Sequence, residues 1–103
     1  MIKINENAIE YTKGDTFELS VDSDSGFEEG STLRVIIAEN ETSDPNIDNV
    51  YSLTSDGIFI VAFSEEDKRR LNIKPYLYKL ILINAEGKSI TQISGHFIVK
   101  WGA

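Results

Sequence analysis

The run from Phe17 to Asp22 sets the tightest limit on what this chain can fold into: Phe17, Leu19 and Val21 alternate with Glu18, Ser20 and Asp22. A period of two puts successive side chains on opposite sides of an extended backbone, so it specifies a strand with one dry face and one wet face. The alternation returns in Leu33, Val35 and Ile37 against Thr32, Arg34 and Ile36. Lys13-Gly14-Asp15-Thr16 and Asp22-Ser23-Asp24-Ser25-Gly26 bracket the first run with residues that bond their own backbone and favour turns. Residues 2–11 read as a short irregular strand or pair of strands, and Glu39 to Asn49 as a polar loop.

Further along, Asn49 to Thr54 and Gly57 to Phe63 read as two strands joined through Ser55-Asp56-Gly57, where Asp-Gly signals a hairpin because the turn needs positive φ. Ser64-Glu65-Glu66-Asp67 then has the chemistry of a helix start, a capping hydroxyl followed by acids, with Lys68, Arg69 and Arg70 at the far end. About eight residues of helical turn are expected, pinned to the core by Leu71. The nearly continuous apolar run Pro75 to Ile83 is ambiguous in period; its aromatic and β-branched content and its short length decide for a strand. A hairpin at Asn84-Ala85-Glu86-Gly87 leads to a last strand from about Lys88 to Trp101. Thr91, Ile93, Phe97 and Val99 fall on one face, Gln92, Ser94 and His96 on the other, and Gly95 marks an expected bulge.

Short strands with turn signals every 8–12 residues predict an all-β, immunoglobulin-like antiparallel β-sandwich of about seven strands, with one short helical turn near residues 64–72. The 103 residues suit a single domain, 1–103, and 41% apolar content supports one core without disulfides, which the absence of cysteine rules out in any case. Tyr76 or Tyr78, near the start of the penultimate strand, is placed to make the corner hydrogen bond typical of such sandwiches.

Seventeen acidic against ten basic residues give a net charge of −7, which argues against nucleic-acid and membrane partners. The opening residues lack the apolar core of a secretory signal, and no apolar run is long enough to span a bilayer. His96 is the sole imidazole; Ser94 shares its face, but two residues along one strand do not align hydroxyl with ring nitrogen. The pairs Glu28-Glu29 and Glu65-Glu66 read as solvated or capping acids. Asp22 to Gly26 reads as a turn, since the glycine comes one place early for a calcium loop and Leu33 stands where the bidentate acid belongs. Asn40-Glu41-Thr42 matches a glycan-acceptor pattern by coincidence, and no phosphate-binding loop is present. No cofactor, no metal site and no catalytic residue is expected.

Parity across the strands yields the one positive feature. If Arg34 and Lys79 face solvent, so do Ile36, Leu77, Ile81, Ile83, Ile90 and Ile98, which gives one sheet an apolar outer face and makes these six residues the candidate partner interface. The alternative is that the helix, the first strand or a long loop folds over them.

Lys13-Gly14-Asp15-Thr16-Phe17, Asp56-Gly57-Ile58, Ser64 to Asp67 with Leu71, Tyr76-Leu77-Tyr78, Glu86-Gly87-Lys88 with Thr91, and Gly95-His96-Phe97 follow one another in an order that resembles a known family. It is the N-terminal immunoglobulin-like domain of phage baseplate upper proteins and the tail-fibre adaptor domains of prophages of Gram-positive bacteria. Lys79 stands where that family usually has an acid, Lys74-Pro75 replaces its glycine turn, and no coiled-coil stalk or receptor-binding head follows before Ala103. The resemblance implies a non-enzymatic structural or adaptor role in a virion tail or baseplate. The implied partners are other tail or baseplate proteins, with self-association as a further option. A second reading, from another class, is an extracellular carbohydrate-binding or adhesion module with Tyr51 and Trp101 as stacking platforms. A third is an enzyme fragment or a regulatory domain split from a longer chain.

Overall fold

The computed structural model describes residues 2–5 and 8–102, with backbone alone for residues 2–5. The elements run β1 (Ile2–Asn5), β2 (Ala8–Thr12), β3 (Glu18–Val21), β4 (Thr32–Ala38), β5 (Ile47–Ser52), β6 (Phe59–Ala62), α1 (Glu65–Arg69), β7 (Pro75–Ile83) and β8 (Ser89–Lys100). Among the described residues eight strands form two layers, a six-stranded sheet in the order β1-β2-β8-β7-β4-β5 and a two-stranded sheet β3-β6. The chain is thus the all-β sandwich that its alternation predicts, with one short helix. Its pairing is not wholly antiparallel: β2 runs parallel to β8, from Ala8 opposite His96 to Thr12 opposite Lys100.

The inner side chains of both layers make the core. Leu33, Val35 and Ile37 of β4 are buried, as are Tyr76 and Tyr78 of β7 and Phe97 and Val99 of β8. Phe17 ties the layers together: its ring stacks on Phe63 at 4.2 Å, meets Tyr11 edge-on at 5.6 Å and packs beside Phe97 at 5.7 Å. Such aromatic contacts add roughly 0.5–1.5 kcal/mol per pair beyond area burial.

The Asp56-Gly57 turn closes tightly, yet it does not make a hairpin. The Gly57 N–H donates to the Thr54 carbonyl at 3.0 Å with φ of 77°, but β5 stays on β4 while β6 crosses to the second layer and pairs with β3. Burial explains the crossing. Phe59 and Val61 are almost fully buried, and Ile60 between them faces out, an arrangement that requires β6 to lie over the large sheet. Strand β5 also starts earlier than its polar surroundings suggest, because Ile47, inside the expected loop, is fully buried.

The helix is shorter than the eight residues expected, at five, and its start is as read. Ser64 Oγ accepts from the Asp67 N–H at 3.1 Å, and Asp67 Oδ2 accepts in return from the Ser64 N–H at 3.0 Å, closing a capping box. Leu71 beyond it is fully buried. Its C-terminal end is capped from a distance: the Lys13 ammonium donates to the carbonyls of Lys68 and, at 2.5 Å, Leu71. A cation there meets the negative end of the helix dipole and fixes the β2–β3 turn against the helix.

The corner residue is Tyr76, whose hydroxyl accepts from the Asn72 backbone N–H. Tyr78 instead buries its ring, and burial pushes its phenol pKa up. Gly95 lies in register opposite Tyr78 and makes no bulge; the irregularity falls between Leu82 and Ile83, where Thr91 and Ser89 are successive partners across from them. Thr91 and Ile93 do face inward, but they are exposed because the two-stranded layer stops at Val21.

Candidate functional site: the outer face of the large sheet

The register puts Ile36, Leu77, Ile81, Ile83 and Ile98 on one face, whereas Ile90 has no partner in it because the strand irregularity falls between Ser89 and Thr91. Val50 of β5, Thr32, Arg34 and Ile36 of β4, Leu77, Lys79, Ile81 and Ile83 of β7, and Gln92 to Ile98 at even positions of β8 share the outer face. Five of the predicted six, Ile36, Leu77, Ile81, Ile83 and Ile98, are half-buried, and Ile90 is 53% exposed. The register supplies the reason. Ile36 lies beside Lys79 and Asp48, Ile81 beside Arg34 and Gln92, and Leu77 beside His96. Each apolar side chain therefore has long or polar cross-strand neighbours whose aliphatic stems can shield it. The face is an alternation of oil and charge, not a continuous apolar patch.

Parity missed Val50, which is 60% exposed on the rim of this face opposite Arg34. Arg34 is held in place by its diagonal neighbour on β5: Nε and a terminal nitrogen donate to the two carboxylate oxygens of Asp48 at 2.8 and 2.6 Å. That bidentate bond holds the Asp48 carboxyl below the usual carboxylate range against an opposing desolvation, and raises the Arg34 guanidinium correspondingly. Lys100 of β8 pairs with Glu10 of β2, and Lys74, just before β7, with Glu39, just after β4.

The most shaped part of the face is a groove of about 360 Å³. Ile36, Ala38, Leu77 and Lys79 floor it, Gln92, Ser94 and His96 of β8 form one wall, and the β4–β5 loop forms the other through Asn40, Glu41, Ser43 and Pro45. The loop is shaped locally. Asn40 Oδ1 accepts from the backbone N–H groups of Thr42 and Ser43 at 2.9 and 2.8 Å, an Asx-type turn that explains how a polar segment becomes a fixed wall. The order Asn40-x-Thr42-Ser43 is a sequence signal for that turn, and this is the local structure behind the glycan-like pattern.

Chemically the groove offers an apolar floor with an ammonium, an imidazole and hydroxyls at its edges. Ser94 and His96 share the wall, and no hydrogen bond joins them. Among the described residues no cluster of three metal-ligating side chains occurs, and no helix is long and apolar enough to cross a membrane. Asp22 to Gly26 folds as a turn in which Asp22 Oδ1 accepts from the Ser23 N–H and the Gly26 N–H donates to Ser23. The two aromatic platform candidates do not come together. Tyr51 is opposite Leu33 on the inner side, its hydroxyl donating to the Ala62 carbonyl at 2.9 Å, whereas Trp101 stands 77% exposed beyond β8.

Neither a known protein-family model nor a curated protein sequence matches the chain.

Proposed function

We propose that this domain is a non-enzymatic structural adaptor of a phage tail or baseplate that docks other tail proteins through the outer face of its large sheet. The observation that carries the docking half of the reading is the groove: its apolar floor of Ile36 and Leu77 lies open between a preformed loop and β8. Preformed concave sites of this kind take a side chain or short segment of a partner at low entropic cost. The phage half rests on the order of turn, helix-start and Tyr-x-Tyr motifs that resembles baseplate upper proteins and prophage tail-fibre adaptors. A virion location follows from that reading, with neither nucleic acid nor membrane as partner.

The test is association with tail particles of the producing prophage, followed by mass spectrometry of cross-linked neighbours. An Ile36→Asp, Leu77→Asp double variant that still folds is expected to lose cross-links to identified tail proteins. Retention of those cross-links by the variant would remove the groove from the reading, and absence of the wild-type chain from particles would remove the tail assignment. The carbohydrate-binding reading keeps one observation in its favour, the exposed Trp101 ring. Glycan-array binding that disappears in Trp101→Ala would promote it over the adaptor.

A further inference from the structure

The sandwich is lopsided, and its missing part has a definite shape. The β3–β6 layer ends at Val21, so the far end of the β7–β8 hairpin extends past it with its inner face uncovered. A cleft of about 250 Å³ opens there, lined by Val21, Phe27, Leu80, Leu82, Thr91 and Ile93 among others. Ile93 at its lip is 50% exposed.

The same stretch of β8 is also an open strand edge. Among the described residues β2 pairs with β8 from His96 onward, and Ser89 to Ser94 have a strand neighbour on the β7 side alone. Two hydrogen bonds settle which backbone groups face that edge. The Val99 N–H donates to the Lys74 carbonyl at 3.1 Å, which points odd residues of β8 toward β7. The Lys100 carbonyl accepts from the Lys13 N–H at 2.9 Å, which points even residues toward the β2 side. Carried back along the strand by the antiparallel alternation, this leaves the N–H and C=O of Gln92 and Ser94 aimed off the edge.

Natural sheet edges are guarded by charge, proline, a bulge or a covering element. Here the irregularity is confined to the start of β8, and Ser89-Ile90-Thr91-Gln92-Ile93-Ser94-Gly95 has neither a charged residue nor a proline in a chain that is 26% charged. The other edges differ. β5 carries Asp48, β3 is flanked by Glu18 and Asp22, and on β6 the Ala62 carbonyl already accepts from Tyr51.

We infer that the Ser89–Ser94 edge and the cleft beneath it form one acceptor slot for an extended segment of another polypeptide, which adds a strand beside β8 and drops alternate apolar side chains over Ile93, Leu80 and Leu82. The edge-facing groups at Gln92 and Ser94 dictate an extended backbone, since only a strand presents donors and acceptors at that two-residue spacing. The cleft dictates apolar residues at every second position. Asp22, which lines the cleft, and the net charge of −7 dictate a basic flank. The slot is about 20 Å long, room for some six residues. It borders the outer-face groove, whose wall carries the side chains of Gln92 and Ser94, but it uses their backbone edge and the inner face of the sheet, so the Ile36→Asp, Leu77→Asp variant tells the two apart.

The probe is a capped peptide, Lys-Val-Thr-Val-Thr-Val-Lys, with Lys-Ser-Thr-Ser-Thr-Ser-Lys as control, read by residue-resolved amide exchange of the whole domain. The valine peptide is expected to slow exchange at Gln92 and Ser94 about tenfold or more, and the serine peptide to leave both unchanged. Gln92→Pro removes an N–H that the fold does not use, and Ile93→Lys puts a charge on the cleft lip; each is expected to weaken peptide binding about tenfold or more. Two variants guard against one of them failing to fold, and Ile36→Asp with Leu77→Asp should leave peptide binding intact. The proposal is overturned if the valine peptide leaves Gln92 and Ser94 unprotected, if protection maps to β5 or to the β4–β5 loop that walls the outer groove, if the Ile36→Asp, Leu77→Asp variant abolishes binding, or if both edge variants bind like wild type. Protection of the two amides in peptide-free protein, tracking a dimer in sedimentation, would assign the slot to a second copy and overturn the heterologous partner.

Discussion

The hydroxyl of Tyr76 accepts a hydrogen bond from the backbone N–H of Asn72 at 2.7 Å, bridging the connection between α1 and the strand it enters. The Tyr76 ring is buried, so the bond anchors an otherwise irregular segment to the core. Tyr76→Phe keeps the ring and strands the amide; the expected cost is about 1–2 kcal/mol. Urea denaturation should show a lower midpoint with an unchanged slope, and an unchanged midpoint would mean that water replaces the phenol at no cost.

Ile47 tests the early start of β5. A residue in a polar loop tolerates Ile→Ala within about 0.5 kcal/mol, whereas a fully buried one loses about 2–5 kcal/mol. Thermal unfolding of Ile47→Ala distinguishes the two, and the structure requires the larger loss.

At the helix start, Ser64→Ala removes the side-chain acceptor of the Asp67 N–H and half of the reciprocal cap. The expected destabilisation is about 0.5–2 kcal/mol. Ser64→Asp, which restores an acceptor, should recover most of it in the same melting experiment.

The Arg34–Asp48 pair predicts a pH dependence. Because the Arg34 hydrogen bond lowers the folded-state pKa of Asp48, its contribution is present above the unfolded-state value and is lost as pH falls through the lowered folded value. Denaturation midpoints measured downward from about pH 5 should therefore fall less steeply in Asp48→Asn than in wild type. Both side chains are partly exposed, so the difference should shrink in high salt.

How far the sequence revealed the fold is best judged strand by strand. Parity alone assigned the inner faces of β3, of β4 and of β8 from Thr91 onward, because each keeps a period of two there. It could not assign β5, where the inward positions are Ile47, Asn49 and Tyr51. Asn49 looks like a break in the pattern, but its amide nitrogen contacts the Tyr51 hydroxyl and Asp67 Oδ2, each at 3.2 Å, so a polar residue is satisfied on a dry face. Nor could it show that the Asp56-Gly57 turn changes layers, since the turn's local geometry is the same whether the next strand pairs back or crosses over.

The candidate site was legible to the same degree. Parity alone placed Ile36, Leu77, Ile81, Ile83 and Ile98 on one face, because facing is a local property, and it could not foresee the irregularity that takes Ile90 out of register. The groove depends on which strands lie side by side and on how residues 40–45 curl, and both are tertiary facts. The Lys13 contact with the helix carbonyls, 55 and 58 residues away in the chain, had no sequence signal beyond a lysine in a turn.

The parallel joint between β2 and β8 also decides how the domain would answer tension. Once β1 has peeled from β2, a pull applied between Ala8 and Lys100 drags two adjacent strands lengthwise past each other, so the ladder from Ala8–His96 to Thr12–Lys100 is strained all at once. An antiparallel hairpin pulled at its open end would instead unzip bond by bond. The domain is built to stay stiff along that axis.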